Sequence, residues 1–393
     1  MDDWLKSSDE PVFKLFGYAG TGKTTLARHF ASHVDGRVMF GAYTGKAAHV
    51  LREKGCPDAT TIHSMIYVSK NKSQLRLKEL ENELADLLRI EEPSTHQQKR
   101  MKGCKDEIRR ENDNLSRPAF SLNIESEVPF CKLVIIDECS MVDERMGADL
   151  LSFGTKVLVL GDPYQLPPVG GGGYFTNGDP DVMLTDIHRQ AEGNPILKMA
   201  SEIRENQRLP LGTYGDSEVT DRKLTEEDFL NADQILVGKN ATRHVVNNYV
   251  RKLRTYEEAL PEIGDRLVCL RNNHDLGLMN GALYDVLEAQ GNPLDDSLRM
   301  YLKLSAVDFD GEESELEAHT HHFLGREDEM SWWEKKEAEE FDYGYALTTH
   351  KAQGSQWDDV LLNDESWVFR ADRWRWLYTA VTRAAHRITV VRK

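Results

Sequence analysis

A chain of 393 residues, 40% of them hydrophobic, is long enough to bury two principal cores, and its net charge of −17 excludes a general polyanion binder with a uniformly basic surface. No apolar run of roughly 18 residues occurs, and the acidic opening Met1-Asp2-Asp3 lacks the basic and then apolar pattern of a signal peptide, so a soluble cytoplasmic protein without membrane contact is expected. The five cysteines (Cys56, Cys104, Cys131, Cys139, Cys269) are scattered and form no Cys-x-x-Cys pair, which indicates a reducing compartment and neither a disulfide framework nor a zinc site.

Residues 1–16 hold a short helix and a first strand, Val12-Phe13-Lys14-Leu15-Phe16. Gly17-Tyr18-Ala19-Gly20-Thr21-Gly22 follows as a turn, and Lys23 to Ser32 as a helix. Strand, glycine-rich loop and helix is the order of a phosphate-binding loop. The glycines let successive N–H groups and the positive end of the helix converge on one anion. Lys23 then reaches the β and γ phosphates, and the Thr24 hydroxyl holds Mg²⁺.

A second strand spans Arg37 to Thr44, followed by a helix from Ala47 to Lys54 and the polar segment Ala59-Thr60-Thr61-Ile62-His63-Ser64. Polar residues at strand ends suit a groove at the C-terminal edge of a parallel sheet, although Thr44 and Thr61 are equally suited to capping the helices after them. Residues 70–115 form an insertion in which Leu77, Leu80, Leu84 and Leu87 fall at helical spacing, with Pro93 and Gly103 interrupting. A small helical protrusion is expected, either a solvated charged surface or a wedge between nucleic-acid strands.

Phe120-Ser-Leu-Asn is a strand, and the apolar run Lys132-Leu-Val-Ile-Ile is of the kind buried in a parallel sheet. It delivers Asp137-Glu138, a carboxylate pair suited to holding Mg²⁺ through water and polarising an attacking water. Lys156 to Gly161 is a further strand and leads to Asp162-Pro-Tyr-Gln165-Leu-Pro-Pro168, where Gln165 can report a γ-phosphate. In the second half, Asp233 to Gly238 and Leu267 to Leu270 are strand-like, and Thr242 to Leu253 is a helix. Between Asp308 and Asp342 stand 14 acidic and 3 basic residues, so most of the excess negative charge sits in one segment and a basic groove elsewhere remains possible. Trp332 and Trp333 fall beside Glu334 in this run and suit packing better than base stacking.

Three of these segments, Gly17 to Thr24, Asp137-Glu138-Cys139-Ser140 and Gly161 to Pro168, resemble motifs I, II and III of superfamily 1 helicases, with wording closest to the B-type RecD-like and phage Dda-like group. Leu184-Thr-Asp-Ile-His-Arg189-Gln resembles motif IV, Tyr345 to Gln356 motif V, and Leu377-Tyr-Thr-Ala-Val-Thr-Arg383-Ala motif VI. Thr44-Gly-Lys46 and Thr61-Ile-His63 match motifs Ia and Ib. The resemblance spans nearly the whole chain in the family's order.

It implies an α/β fold of two RecA-like domains with parallel sheets, in keeping with the alternation of strands and helices. The first would span 1–188 with a helical or pin-like insertion at about 70–115, and the second 189–393 with an SH3-like β insertion at about 273–340. ATP would lie in the cleft, bound by Gly20, Thr21, Gly22, Lys23, Thr24, Thr25 and Gly354, with Mg²⁺ on Thr24 and Asp137. Glu138 would be the catalytic base, Gln165 the γ-phosphate sensor, and Arg189 and Arg383 arginine fingers. Thr44, Lys46, Thr61, His63, Thr348, His350 and Lys351 would contact single-stranded DNA. A monomer moving 5′ to 3′ is implied, with a 5′-tailed duplex as substrate and replication or repair proteins as partners. A nucleotide-gated binding module that does not unwind, and an RNA-directed relative, remain open on the residues alone. The family's glutamine ahead of motif I has no counterpart in residues 1–22, so adenine is held by shape and stacking, or its reader lies outside this sequence.

Overall fold

The runs at 133–136 and 157–160 are continuously apolar and 12–16 is broken only by Lys14, the mark of strands covered on both faces. In the computed structural model they lie side by side. The structure describes residues 1–56, 58–69, 80, 82–85, 87–88, 95–116, 120–168, 173–185, 193–273, 275–291, 298–307, 312–330 and 338–392. The strands of its first half are β1 (Val12–Gly17), β2 (Val38–Ala42), β3 (Thr60–Thr61), β4 (Tyr67–Ser69), β5 (Phe120–Leu122), β6 (Leu133–Asp137), β7 (Val157–Gly161) and β8 (Val182–Leu184). Six of them form one sheet in the order β3-β2-β6-β7-β1-β8, with each neighbouring pair parallel. Parallel pairing sends the chain back over the sheet, so the loops after β1, β2, β6 and β7 emerge at the same, C-terminal edge. Beneath them Phe13, Leu15, Phe30, Leu133, Ile135, Leu158 and Leu160 form one buried cluster.

His63–Pro129 is a compact unit of its own. Its β4 and β5 pair antiparallel, with Val68 opposite Ser121, and a 22-residue helix spans Thr95–Ser116. Within it Arg100 bonds Glu83 at 2.7 Å and Glu107 at 3.0 Å. The β4–β5 ribbon extends this unit beyond the insertion limits of 70–115. Leu77 lies outside the described residues, while Leu80 is buried.

The second half adds β9 (Gly212–Tyr214), β10 (Ser217–Thr220), β11 (Gln234–Val237), β12 (Arg266–Cys269), β13 (Leu283–Gly291), β14 (Arg299–Ala306), β15 (Glu313–His319), β16 (Phe341–Tyr343), β17 (Ala346–Thr348), β18 (Trp357–Asn363) and β19 (Ala384–Val391). A second six-stranded sheet runs β17-β11-β18-β19-β10-β9, parallel except for the β9–β10 pair. Its core holds Ile196, Met199, Leu236, Leu347, Leu362, Trp376, Leu377 and Ile388. A five-stranded antiparallel sheet, β15-β14-β13-β12-β16, separates β11 from β17 in sequence.

This register corrects one expectation. Leu267 to Leu270 and the residues from 341 fall outside the 273–340 insertion limits and so by sequence belong to the second α/β domain, but β12 pairs antiparallel with β13 on one side and with β16 on the other, Leu267 standing opposite Tyr343. A short apolar run fits either kind of sheet, and only long-range pairing decides between them. At the junction, Arg251 is buried against Asp265 at 2.9 Å, and Tyr345 donates to the same carboxylate at 2.9 Å.

Glu365 closes the other end of this sheet. Its carboxylate accepts from the N–H groups of Gly238 at 2.9 Å and Lys239 at 3.0 Å and from the Thr242 hydroxyl at 2.7 Å, at the start of the helix Asn240–Leu253. Burial pushes its pKa up, but the bonds from Thr242, Lys239 and Gly238 outweigh it and hold the carboxyl below the usual glutamate range. A depressed folded pKa gives stability that is present above the unfolded value of about 4.3 and fades as pH falls through the folded one. Glu365→Gln is therefore expected to cost about 2 kcal/mol at pH 7, and progressively less as the pH falls below about 4, in denaturant melts.

Candidate active site

Gly20 and Gly22 adopt φ of +77° and +78°, a conformation that L side chains rarely take. They turn the chain from β1 into the helix Lys23–Ala31, which starts on Gly22 without a side-chain cap. Its first N–H groups are left for an anion, and the macrodipole favours negative charge there. The Lys23 ammonium sits over the loop, donating to the carbonyls of Gly17 at 2.7 Å and Tyr18 at 2.9 Å.

At the end of β6, the Thr24 hydroxyl donates to Asp137 Oδ2 at 2.8 Å, and the Glu138 N–H donates to Asp137 Oδ1 at 2.8 Å. Oxygen donors, one hydroxyl and one fixed carboxylate, are what Mg²⁺ takes alongside phosphate oxygens, so these residues fit that ion. Glu138 itself is held at φ +52°, an uncommon conformation for a non-glycine residue and one that turns its side chain out of the strand direction. Burial raises the Glu138 pKa; Arg383 opposes that rise, Asp137 reinforces it, and Lys23 opposes it.

A cavity of about 630 Å³ joins these groups. Lys23, Thr24, Thr25, Asp137, Glu138 and Gln165 line it from the first sheet, and Gly354, Ser355 and Arg383 from the second. That volume lies within the range of small-molecule sites. Gln165 is buried, and its Oε1 has no hydrogen-bond partner among the described residues. Gly354 adopts φ +78°, and a Cβ there would approach Ala47 at 3.2 Å and the Thr44 hydroxyl at 3.3 Å, so a glycine allows the turn to close against Thr44. A smaller cavity of about 360 Å³ elsewhere is lined by Arg222 and Arg387, but Glu218, Asp228 and Asp359 already pair with these cations.

The residues expected to meet a nucleic-acid strand divide. Thr44 caps the helix Gly45–Glu53, accepting from the Ala47 N–H at 3.1 Å. Lys46 does not stand on the outer edge: it is buried, lines the same cavity as Lys23, and places its ammonium 4.9 Å from the centre of the Trp357 ring. Thr61 ends β3 and is buried, and His63, in the insertion unit, packs its ring 4.9 Å from that of Tyr67. Thr348 ends β17, His350 packs 5.5 Å from the Phe369 ring, and Lys351 is exposed. Arg189, Trp332 and Trp333 lie outside the described residues. All five cysteines are buried and none forms a disulfide.

Residues 3–220, more than half the chain, match the family described as AAA domain, and residues 343–391 match the UvrD-like helicase C-terminal domain. The chain belongs to the AAA-domain family, in its RecD- and Pif1-like superfamily 1B branch. It is 29% identical over 287 residues to the ATP-dependent RecD2 DNA helicase of Deinococcus radiodurans, covering 65% of this chain and 35% of that protein. To the ATP-dependent DNA helicase Pif1 of a Psychrobacter species it is 24% identical over 239 residues, covering 47% of this chain and 36% of the relative. It thus spans about a third of the length of these relatives. A solved structure of Pif1 helicases at forked double-stranded DNA shares the fold, at a TM-score of 0.55 and 19% identity over 98% of this chain and 89% of that one. Among the described residues no helix is long and apolar enough to cross a membrane.

Four residues of this RecD/Pif1-like chain escaped the reading of its motifs. Tyr378 donates to Asp162 Oδ2 at 2.6 Å and accepts from the Ala19 N–H of the phosphate loop at 3.1 Å. Gln353 and Thr379 both bond the backbone of Leu166. Trp367 is 65% exposed with Lys239 over its ring, on the segment that carries Phe369. A tryptophan among polar neighbours just after motif V was a usable signal, whereas the other three are ordinary motif residues whose partners are distant in sequence.

Asp162 is buried, and desolvation lifts its pKa against the pull of Lys23 and the Tyr378 hydroxyl. A carboxyl raised above its unfolded value of about 3.9 weakens the fold once ionised, and removing a donor deepens that effect. Tyr378→Phe should accordingly lower stability by about 1–3 kcal/mol at pH 8 and by less in acid, where the carboxyl takes up its proton. Melting curves of both proteins at pH 8 and in acid check this.

Proposed function

We propose that the chain is an ATP-driven DNA helicase that moves 5′ to 3′ along single-stranded DNA. One observation carries the reading: a single cavity is lined by a phosphate loop and a carboxylate pair from one parallel sheet and by an arginine from another. Lys23 and the N–H groups of the loop would bind the β and γ phosphates, and Thr24 and Asp137 would hold Mg²⁺, whose charge offsets that of the phosphates. Glu138 would orient the attacking water and accept its proton, and its raised pKa suits a base. Gln165 would hold that water against the γ-phosphate. Arg383, and with it Arg189, would stabilise the charge of the transition state from the second sheet.

The DNA strand would cross the C-terminal edges of the two sheets, touching Thr44, Thr61, His63, Thr348, His350 and Lys351, and stacking a base on Trp367. Lys46, lying in the cavity, is better placed to touch the nucleotide. We infer domains of 1–188 and 189–393, each interrupted by its insertion, acting as a monomer in the cytoplasm.

Turnover of ATP with and without single-stranded DNA tests the chemistry. Lys23→Ala should abolish it, and Glu138→Gln should bind ATP but turn over at least about a thousandfold more slowly. Arg383→Ala should depress kcat far more than it raises KM. Lys46→Ala should impair basal and strand-stimulated turnover alike. Unwinding of a 5′-tailed but not a 3′-tailed duplex is the expected polarity, and the reverse preference would refute it. Full turnover in Glu138→Gln would remove the catalytic assignment.

A further inference from the structure

Leu166 belongs to the loop after β7, yet the second sheet holds all of it. Gln353 Nε2 donates to its carbonyl at 3.0 Å, and its N–H donates to Thr379 Oγ1 at 2.9 Å. Its side chain is buried among Ile196, Met199 and Leu377 in the core of that sheet. Gln165, the preceding residue, has little freedom of its own, because its N–H is bonded to the Asp162 carbonyl at 3.1 Å and Asp162 is held by Tyr378. The backbone that carries the Gln165 side chain into the cavity is thus held in part by groups packed on the other sheet. Gln353 lies on the turn that follows β17, three residues after His350 and two after Lys351.

We propose that Gln353 is a positioning residue that carries the state of the strand-side turn to Gln165 through the backbone of Leu166. Strand binding at His350 and Lys351 would settle the turn, Gln353 would fix Leu166, and Gln165 would come to rest against the attacking water. The second sheet then acts on hydrolysis by two routes, through Arg383 directly and through Gln165 indirectly. This inference rests on reading the cavity as an ATPase site and names a part of that site's regulation.

A double-mutant cycle tests it. Gln353→Glu sets a carboxylate against the Leu166 carbonyl, so strand-stimulated kcat should fall roughly tenfold while KM for ATP stays within about twofold. In a Gln165→Ala background the same change should have almost no further effect on kcat, since its route is already cut. Independent, multiplicative losses in the cycle, or unchanged kcat in Gln353→Glu, would overturn the proposal. Should Gln353→Glu fail to fold by circular dichroism, Thr379→Val runs the same cycle, because valine keeps the shape and loses only the acceptor for the Leu166 N–H. Lys23→Ala is the control: if it retains full turnover the ATPase reading itself fails, whereas loss of turnover there with a multiplicative cycle rejects only the role of Gln353.

Discussion

A carboxylate removed from water is costly unless cations or donors offset the loss, and at Glu138 burial prevails over opposing charges drawn from two sheets. Lys23 comes from the phosphate loop of the first and Arg383 from the end of the helix Arg373–Val381 on the second. Neither sheet alone supplies both. The same dependence recurs at Asp162, another buried carboxylate, whose donor Tyr378 lies on that helix. Two carboxylates beside the phosphate loop thus have partners in the second half of the chain.

Such a junction is suited to opening and closing. Its bonds are few, each is polar, and a nucleotide with its charges would shift their balance. Tyr378 illustrates the point, since it occupies the N–H of Ala19, a group of the loop that cradles phosphate. Leu166 adds an apolar anchor, which fastens the loop that carries Gln165 to the core of the second sheet.

Much of the candidate site, the residues that share one cavity, could be read from the chain because its signals are local. Glycines at fixed spacing before Lys23 and a carboxylate pair after an apolar run need no knowledge of distant residues. What was missed is non-local: Leu166 and Thr379 are bonded across 213 positions, and Gln353 and Leu166 across 187. The cavity position of Lys46 was not legible for a related reason. A polar residue after a strand looks the same whichever way it faces, and burial of Ala47, Ala48 and Leu51 sets the helix that aims it. The strand Arg266–Cys269 was likewise too short and too apolar to reveal an antiparallel partner.

The central claim is that the two sheets complete one phosphoryl-transfer site. A crystal structure with Mg²⁺, ADP, aluminium fluoride and a short single-stranded oligonucleotide tests it most directly. The claim predicts the fluoride contacted by Lys23 and Gln165 from one side and by Arg383 from the other, with the metal on Thr24. Aluminium fluoride bound by the phosphate loop alone, with Arg383 turned away and Gln165 out of reach, would contradict it.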